Sequence, residues 1–383
     1  MISFKVLAVS SFMFATAFTQ VRAQSAEMKQ ALEYESQRDY AQAEAAFNAI
    51  TVATPGDAQA WAHLGLDRAL QGRYAEAVPA YRRALKLSPK FPGLQIDLGL
   101  ALFKQAQFRE AVPALLAASA EAPHDDRPKL LLGMSYYGAA EFSKAVPYLK
   151  LAVDSSPENL ELRTTLAHSC LWAKEYACAL EQYKTIVQQS PDSAEADMIA
   201  GEALDGQGNT TGAITQFRAA AKASPNIPNV HFGLGYLLWK LNQIDEAGHE
   251  FSLELALDPN NGQALAYLGD VAIKKNDNDM ARRYLQRAIE QKDAIRLAYL
   301  DMGTLNAGAG QNAEAEVNFK RAIAMDPDDP EAHWRLGRLF QTMGGKAQAD
   351  VELAKVKLLH QRKDQKDQAL AGMMTRPVAA KQQ

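Results

Sequence analysis

The sequence predicts an all-α chain of tandem helix pairs, and three observations sharing one period predict it. Prolines stand at Pro55, Pro89, Pro123, Pro157, Pro191, Pro225 and Pro259 at intervals of 34 residues, and Pro327 lies two intervals beyond Pro259. Twelve residues before each of these places comes an alanine, in a series that never breaks: Ala43, Ala77, Ala111, Ala145, Ala179, Ala213, Ala247, Ala281, Ala315 and Ala349. Twelve before the alanine comes glycine or alanine, and four after it a large apolar residue, as in Gly65, Ala77 and Tyr81 or Gly235, Ala247 and Phe251. Ten units of 34 residues follow, starting at 24, 58, 92, 126, 160, 194, 228, 262, 296 and 330 and ending at 363.

One unit reads as two antiparallel helices. In the second, Trp61, Leu64, Gly65 and Arg68 share one helical face, Gly72-Arg73 interrupts it, and Ala77, Tyr81 and Ala84 resume it. Small residues at the eighth and twentieth places let the two axes approach, and the bulky twenty-fourth residue fills the space beside them. The proline after the second helix stops it. Pro79, Pro113 and Pro147 fall near the start of second helices, where a missing N–H costs least. A lone pair cannot bury its apolar face, whereas stacked pairs can, so residues 24–363 read as one continuous solenoid of about ten helix-turn-helix repeats.

The flanks read differently. Lys5, the apolar run from Val6 to Thr19, and Val21-Arg22-Ala23 have the order of an export signal cleaved after residue 23. The run is shorter than the roughly 20 residues that span a bilayer. The expectation is an exported protein, periplasmic in a two-membrane bacterium or otherwise secreted. Residues 364–383 form a polar tail, expected to extend the last helix and to fray after Gly372.

The pattern resembles the tetratricopeptide repeat family, carried most closely by Trp61, Leu64-Gly65, Ala77, Tyr81 and Pro89. The resemblance spans residues 24–363 and implies an alpha-alpha superhelix whose first helices line a concave groove. It implies scaffolds and adaptors without naming a partner. One binding mode of the family, a carboxylate clamp with Lys at the fifth place and Asn at the ninth, is missing from these units.

Several places depart from the pattern. Glu254 holds the twenty-seventh place, where alanine is usual, and is expected to lean to solvent or pair with a nearby base. Asp293 replaces the proline of the eighth unit and Asn278 its usual aromatic, which makes that unit the weakest. Cys170 and Cys178 flank the turn of the fifth unit; in an oxidising compartment they bridge if geometry allows, and two buried thiols are the default.

Composition narrows the work the chain can do. Of 383 residues 48% are apolar and 22% charged, which excludes a disordered polymer. A net charge of −4 offers no basic field for nucleic acid. No two of the seven histidines have metal-pair spacing and no Cys-x-x-Cys occurs, so no metal and no cofactor are implied. Gly233-Leu-Gly235 lies within a helix pattern and is not a nucleotide loop. Asp277-Asn278-Asp279 and Asp326-Pro327-Asp328-Asp329 read as turns. With the array filling the chain, an enzyme is not expected.

Function is sought on the second, fifth, ninth and twelfth places of the first helices, which share a face. In units three and four these hold Ile96, Leu100, Phe103, Leu130, Met134 and Tyr137; in units five to seven they hold Leu171, with Trp172 beside it, and Phe232, Tyr236 and Trp239. Units eight to ten turn polar with Asp270, Thr304, Arg338 and Gln341. Neighbouring first helices cover part of such a face, but a groove this apolar suits peptide segments of a partner protein. The expected function is a non-catalytic scaffold or adaptor of the cell envelope docking such segments. The alternative is a polysaccharide-binding or export-guiding solenoid that stacks sugar rings on Tyr137, Trp172, Tyr236 and Trp239.

The assigned frame has a direct check. Ala213→Asp places an unpaired charge at a close-approach site and is expected to cost several kcal/mol, roughly the scale of such substitutions, read as a lowered melting midpoint. An unchanged midpoint refutes the frame.

Overall fold

The computed structural model describes residues 26–292 and 294–374, without the side chains of 369–374. The expected export segment, Asp293 and residues 375–383 lie outside the described residues. The chain divides into two compact units, one ending at Pro191 and one beginning at Asp192, each holding five helix pairs.

The first unit comprises α1 (26–36), α2 (Tyr40–Ala53), α3 (Ala58–Leu70), α4 (Tyr74–Leu87), α5 (Leu94–Lys104), α6 (Phe108–Glu121), α7 (Asp126–Gly138), α8 (Phe142–Ser155), α9 (Leu160–Trp172) and α10 (Tyr176–Gln189). The second comprises α11 (Ala194–Gly206), α12 (Thr210–Ala223), α13 (Val230–Lys240), α14 (Ile244–Leu257), α15 (Gly262–Lys274), α16 (Asn278–Glu290), α17 (Arg296–Gly308), α18 (Asn312–Met325), α19 (Pro330–Thr342) and α20 (Lys346–Met374). No strand occurs among the described residues. Within each unit every helix packs on its pair-mate and the second helix of one pair packs on the first of the next. First helices also touch first helices, as α5 does α7 and α17 does α19. This contact joins those neighbouring first helices into one face.

The small residues do what their spacing requires. All ten twentieth-place alanines are at most 1% exposed. A β-carbon on Gly65, Gly99, Gly201, Gly269 or Gly303 would come within 2.5 or 2.6 Å of the twenty-fourth-place side chain of the same pair, respectively Tyr81, Leu115, Phe217, Leu285 and Phe319. The glycine is therefore a seat for that side chain.

The turns between pairs serve two ends. The proline's carbonyl accepts from the fourth-place side chain six residues on: Trp61 Nε1 at 3.1 Å from Pro55, Arg163 Nη2 at 3.0 Å from Pro157, His231 Nε2 at 2.9 Å from Pro225 and His333 Nε2 at 3.1 Å from Pro327. Two residues after the proline, Asp57, Asp125, Asn159, Ser193, Asn261 and Asp329 cap the next first helix by accepting from its first-turn N–H groups. Asp277, expected in a turn, likewise caps α16.

Among the described residues three first helices, α5, α13 and α17, lack this cap, and α5 and α13 are also two residues shorter. Phe91-Pro92 and Ile227-Pro228 stand where the cap and first residue should be, and the left-handed Gly93 and Asn229 start α5 and α13 instead. At α13 the orphaned donors are answered by Glu254, whose carboxylate accepts from the N–H of Asn229 at 3.2 Å and of Phe232 at 3.0 Å. This corrects the expectation for Glu254. It is 2% exposed and neither leans to solvent nor pairs with a base; because α14 runs antiparallel to α13, its last turn lies beside the donors that need it.

Two buried acids are paired less well. Asp67 is fully buried beside the Glu35–His63 pair, which meets at 2.8 Å, and neither of its oxygens meets a donor. Burial first, and the Glu35 charge second, push its pKa up to about 7. Asp301, 3% exposed, is pushed up to about 7 by burial and then by Asp270, with Arg335 at 3.7 Å partly opposing. An acid whose pKa is higher folded than unfolded binds its proton more tightly in the folded state, so its cost is absent well below 3.8 and grows as pH rises towards 7. The melting midpoint is expected to fall across that window, and the double substitution Asp67→Asn, Asp301→Asn to flatten the fall. An equal slope in the variant would count against both assignments.

Candidate docking site

In the first unit the candidate residues gather in small groups. Tyr137, at the end of α7, stacks on Trp172, at the end of α9, with centroids 5.9 Å apart. Phe142 of α8 lies 4.7 Å from Trp172, and His168 stacks on it at 5.0 Å. Phe103 meets Phe108 edge-on at 5.5 Å, as Tyr137 meets Phe142 at 5.9 Å, so the twelfth and seventeenth places form one recurring aromatic pair. Trp172 is nevertheless 47% exposed, and Leu100 and Leu130 are also exposed. Ile96 lines a cavity of about 720 Å³ at the uncapped start of α5, and Leu130 one of about 210 Å³ beside Leu151. Met134 is half-buried.

Leu171 does not belong to this surface. It is 6% exposed: Trp172 takes the outer side of the last turn, and Leu171, about 100° round the helix, turns into the core. Cys170 and Cys178 form a disulfide, not two thiols, because the turn brings their Cα atoms to 5.7 Å. Glu175 approaches both sulfurs, but disulfide sulfurs have no thiolate to offer a metal.

In the second unit Phe232, Tyr236 and Trp239 follow one another along α13. Tyr267 of α15 stands against all three, at 5.9, 5.7 and 5.1 Å, with the core residue Phe251 behind it at 5.3 Å. Burial first, then Tyr236, push the Tyr267 hydroxyl up to about 12, so it stays a neutral donor. Trp239 Nε1 donates to Asp270 Oδ2 at 2.5 Å, and Lys274 closes the group, 2.8 Å from Asp270 and 4.3 Å above the indole. Tyr267 was not among the expected residues, since the sixth place is not one of the four places on which function is sought; its signal was an aromatic opposite the preceding unit's aromatic stripe.

Between α11 and α13 this wall opens on a cavity of about 360 Å³ lined by Met198, Glu202, Asp205, Phe217, Phe232 and Tyr236 among others. Phe217 reaches its floor because residue 233 is glycine: a β-carbon there would lie 2.3 Å from the ring. Asp205 is held at 2.7 Å by both Lys240 and Thr210. Aromatic faces around a concave space, with carboxylates at the edge, bind by burial. The polar stretch expected over units eight to ten is broken by Trp334, which holds the fifth place of the tenth unit and is 46% exposed. No helix among the described residues is long and apolar enough to cross a membrane.

Comparison with known proteins agrees with this architecture. Profiles described as tetratricopeptide repeat match residues 28–92, 69–134, 173–228 and 232–294, and one described as TPR repeat matches 309–344. The chain is 25% identical over 129 residues to anaphase-promoting complex subunit 3 of Schizosaccharomyces pombe, a match covering 34% of this chain and 19% of that protein. It is 25% identical over 136 residues to BBSome complex member bbs-4 of Caenorhabditis elegans, covering 36% and 29%. The chain thus matches less than a third of the length of either relative. Its fold is similar to that in the crystal structure of the APC/C hetero-tetramer Cut9-Hcn1, with a TM-score of 0.52 at 14% identity over 88% of this chain and 73% of that one. Since the matched profiles together cover more than half of its length, the chain belongs to the tetratricopeptide repeat family.

Proposed function

We propose that this protein is a non-catalytic scaffold or adaptor that docks peptide segments of partner proteins on the first-helix faces, chiefly at the aromatic wall of α13 and α15. The observation that carries the reading is the set Phe232, Tyr236, Trp239 and Tyr267 opening on a concave space. Large aromatic side chains beside a cavity are the usual anchors of protein contacts. Two relatives are named as members of multi-protein complexes, which supports the same reading. The setting we propose is the cell envelope, outside the cytoplasm, on the strength of Lys5, the run from Val6 to Thr19 and Val21-Arg22-Ala23.

A second reading, a polysaccharide-binding or export-guiding solenoid, is favoured by the exposed face of Trp172 in its cluster with Tyr137, on which a sugar ring can stack. In-cell crosslinking separates the two. The unaltered chain is compared with the double variant Tyr236→Ala, Trp239→Ala, whose melting midpoint is measured alongside. A protein captured by the unaltered chain and lost with the variant is the expected result. Protein capture indifferent to the variant removes docking from α13, and capture of glycan alone selects the second reading.

A further inference from the structure

The last repeat carries a second site whose chemistry differs from the aromatic wall. Trp334 and Arg338 hold the fifth and ninth places of α19, one turn apart, and Thr304 holds the ninth place of α17 opposite. Between the helices lies a cavity of about 450 Å³ whose floor is apolar, with Ala307, Phe319 and Leu339, and whose rim carries Asn312 and Thr342.

The two arginines that line it are used differently. Arg335 is spent inside the chain: its guanidinium is 2.7 Å from Glu331, 3.7 Å from Asp301 and hydrogen-bonded to the Thr304 hydroxyl. Arg338 donates to Gln341 Oε1 at 3.2 Å, and among the described residues it forms no ion pair with a carboxylate. An exposed guanidinium therefore stands at the mouth of an apolar cavity, one helical turn from a tryptophan that is 46% exposed.

We infer that this cavity binds an acidic segment of a partner protein, one that presents an aspartate or glutamate beside an apolar side chain. The planar guanidinium of Arg338 takes the carboxylate, preferably through two parallel N–H···O bonds. Trp334 and the floor of Phe319 and Leu339 cover the apolar neighbour. The apolar floor favours a peptide over a sugar, whose hydroxyls would meet few partners there. This site lies on α17 and α19, goes beyond docking on α13, and stands or falls separately from it.

The test is fluorescence anisotropy of the full chain with two labelled peptides, one with a Glu-Leu-Glu-Phe core and the other with Gln in place of each Glu. The acidic peptide is expected to bind about tenfold more tightly, the scale of one charge-assisted pair, and to weaken as ionic strength rises. Arg338→Gln is expected to bring the two peptides within about twofold of each other while the circular-dichroism melt stays unchanged. Trp334→Ala is expected to weaken both peptides, and the Tyr236→Ala, Trp239→Ala variant to keep the preference for acid. The inference is overturned if the unaltered chain binds neither peptide or both alike, or if the preference survives Arg338→Gln or vanishes with the α13 variant. Tighter, Arg338-dependent binding of an oligogalacturonate that displaces the acidic peptide overturns it in favour of an acidic glycan.

Discussion

In five of the ten helix pairs the two helices stand at a separation that only a residue without a β-carbon permits, because the twenty-fourth-place side chain lies against the backbone of the eighth-place glycine. In five pairs an added β-carbon would come to 2.5 or 2.6 Å of that side chain, and a buried Tyr81 or Leu115 sits in a close-packed interior with little space to yield. The rest follows from this contact. Close axes leave the twentieth-place alanine no room for anything larger, and the residues that face outward from the first helix then fall at fixed places. Tyr236 and Trp239 lie side by side facing outward because Gly235, just before Tyr236 in sequence, is pressed on Phe251.

Polar groups at the turns show how strictly the repeat must be completed. A helix start needs acceptors for its free N–H groups, and most first helices find one two residues after the proline. Where Ile227-Pro228 displaces that residue, Glu254 answers from the neighbouring helix, so a charge in an alanine's place is a replacement part. The third repeat has the same kind of turn at Phe91-Pro92 but keeps Ala118 at the place of Glu254, and there the chain has its cavity of about 720 Å³.

The period, the helix pairs and the buried faces were all legible in the sequence, since each rests on contacts within 34 residues. The surface was legible only in part. Tyr236 and Trp239 are legible as outward residues from their places in the repeat, whereas the ring of Tyr267 joins them only through packing against the helix before it. Leu171 was misassigned because the places of an ideal helix do not register that a tryptophan follows it. Glu254 needed two departures, the lost cap and the added acid, to be read together. The Cys170–Cys178 bridge turned on a turn geometry that spacing alone leaves open.

The disulfide joins the end of α9 to the start of α10, and these helices form the last pair of the first unit. In a stack whose stability is summed over neighbours, a pair can open locally when its own two helices part. A covalent tie across its turn limits how far the two helices can part, since the linked ends meet again without searching. Local opening there would therefore have to release the pair as one piece, so the fifth repeat is the one whose two helices cannot come apart at their turn.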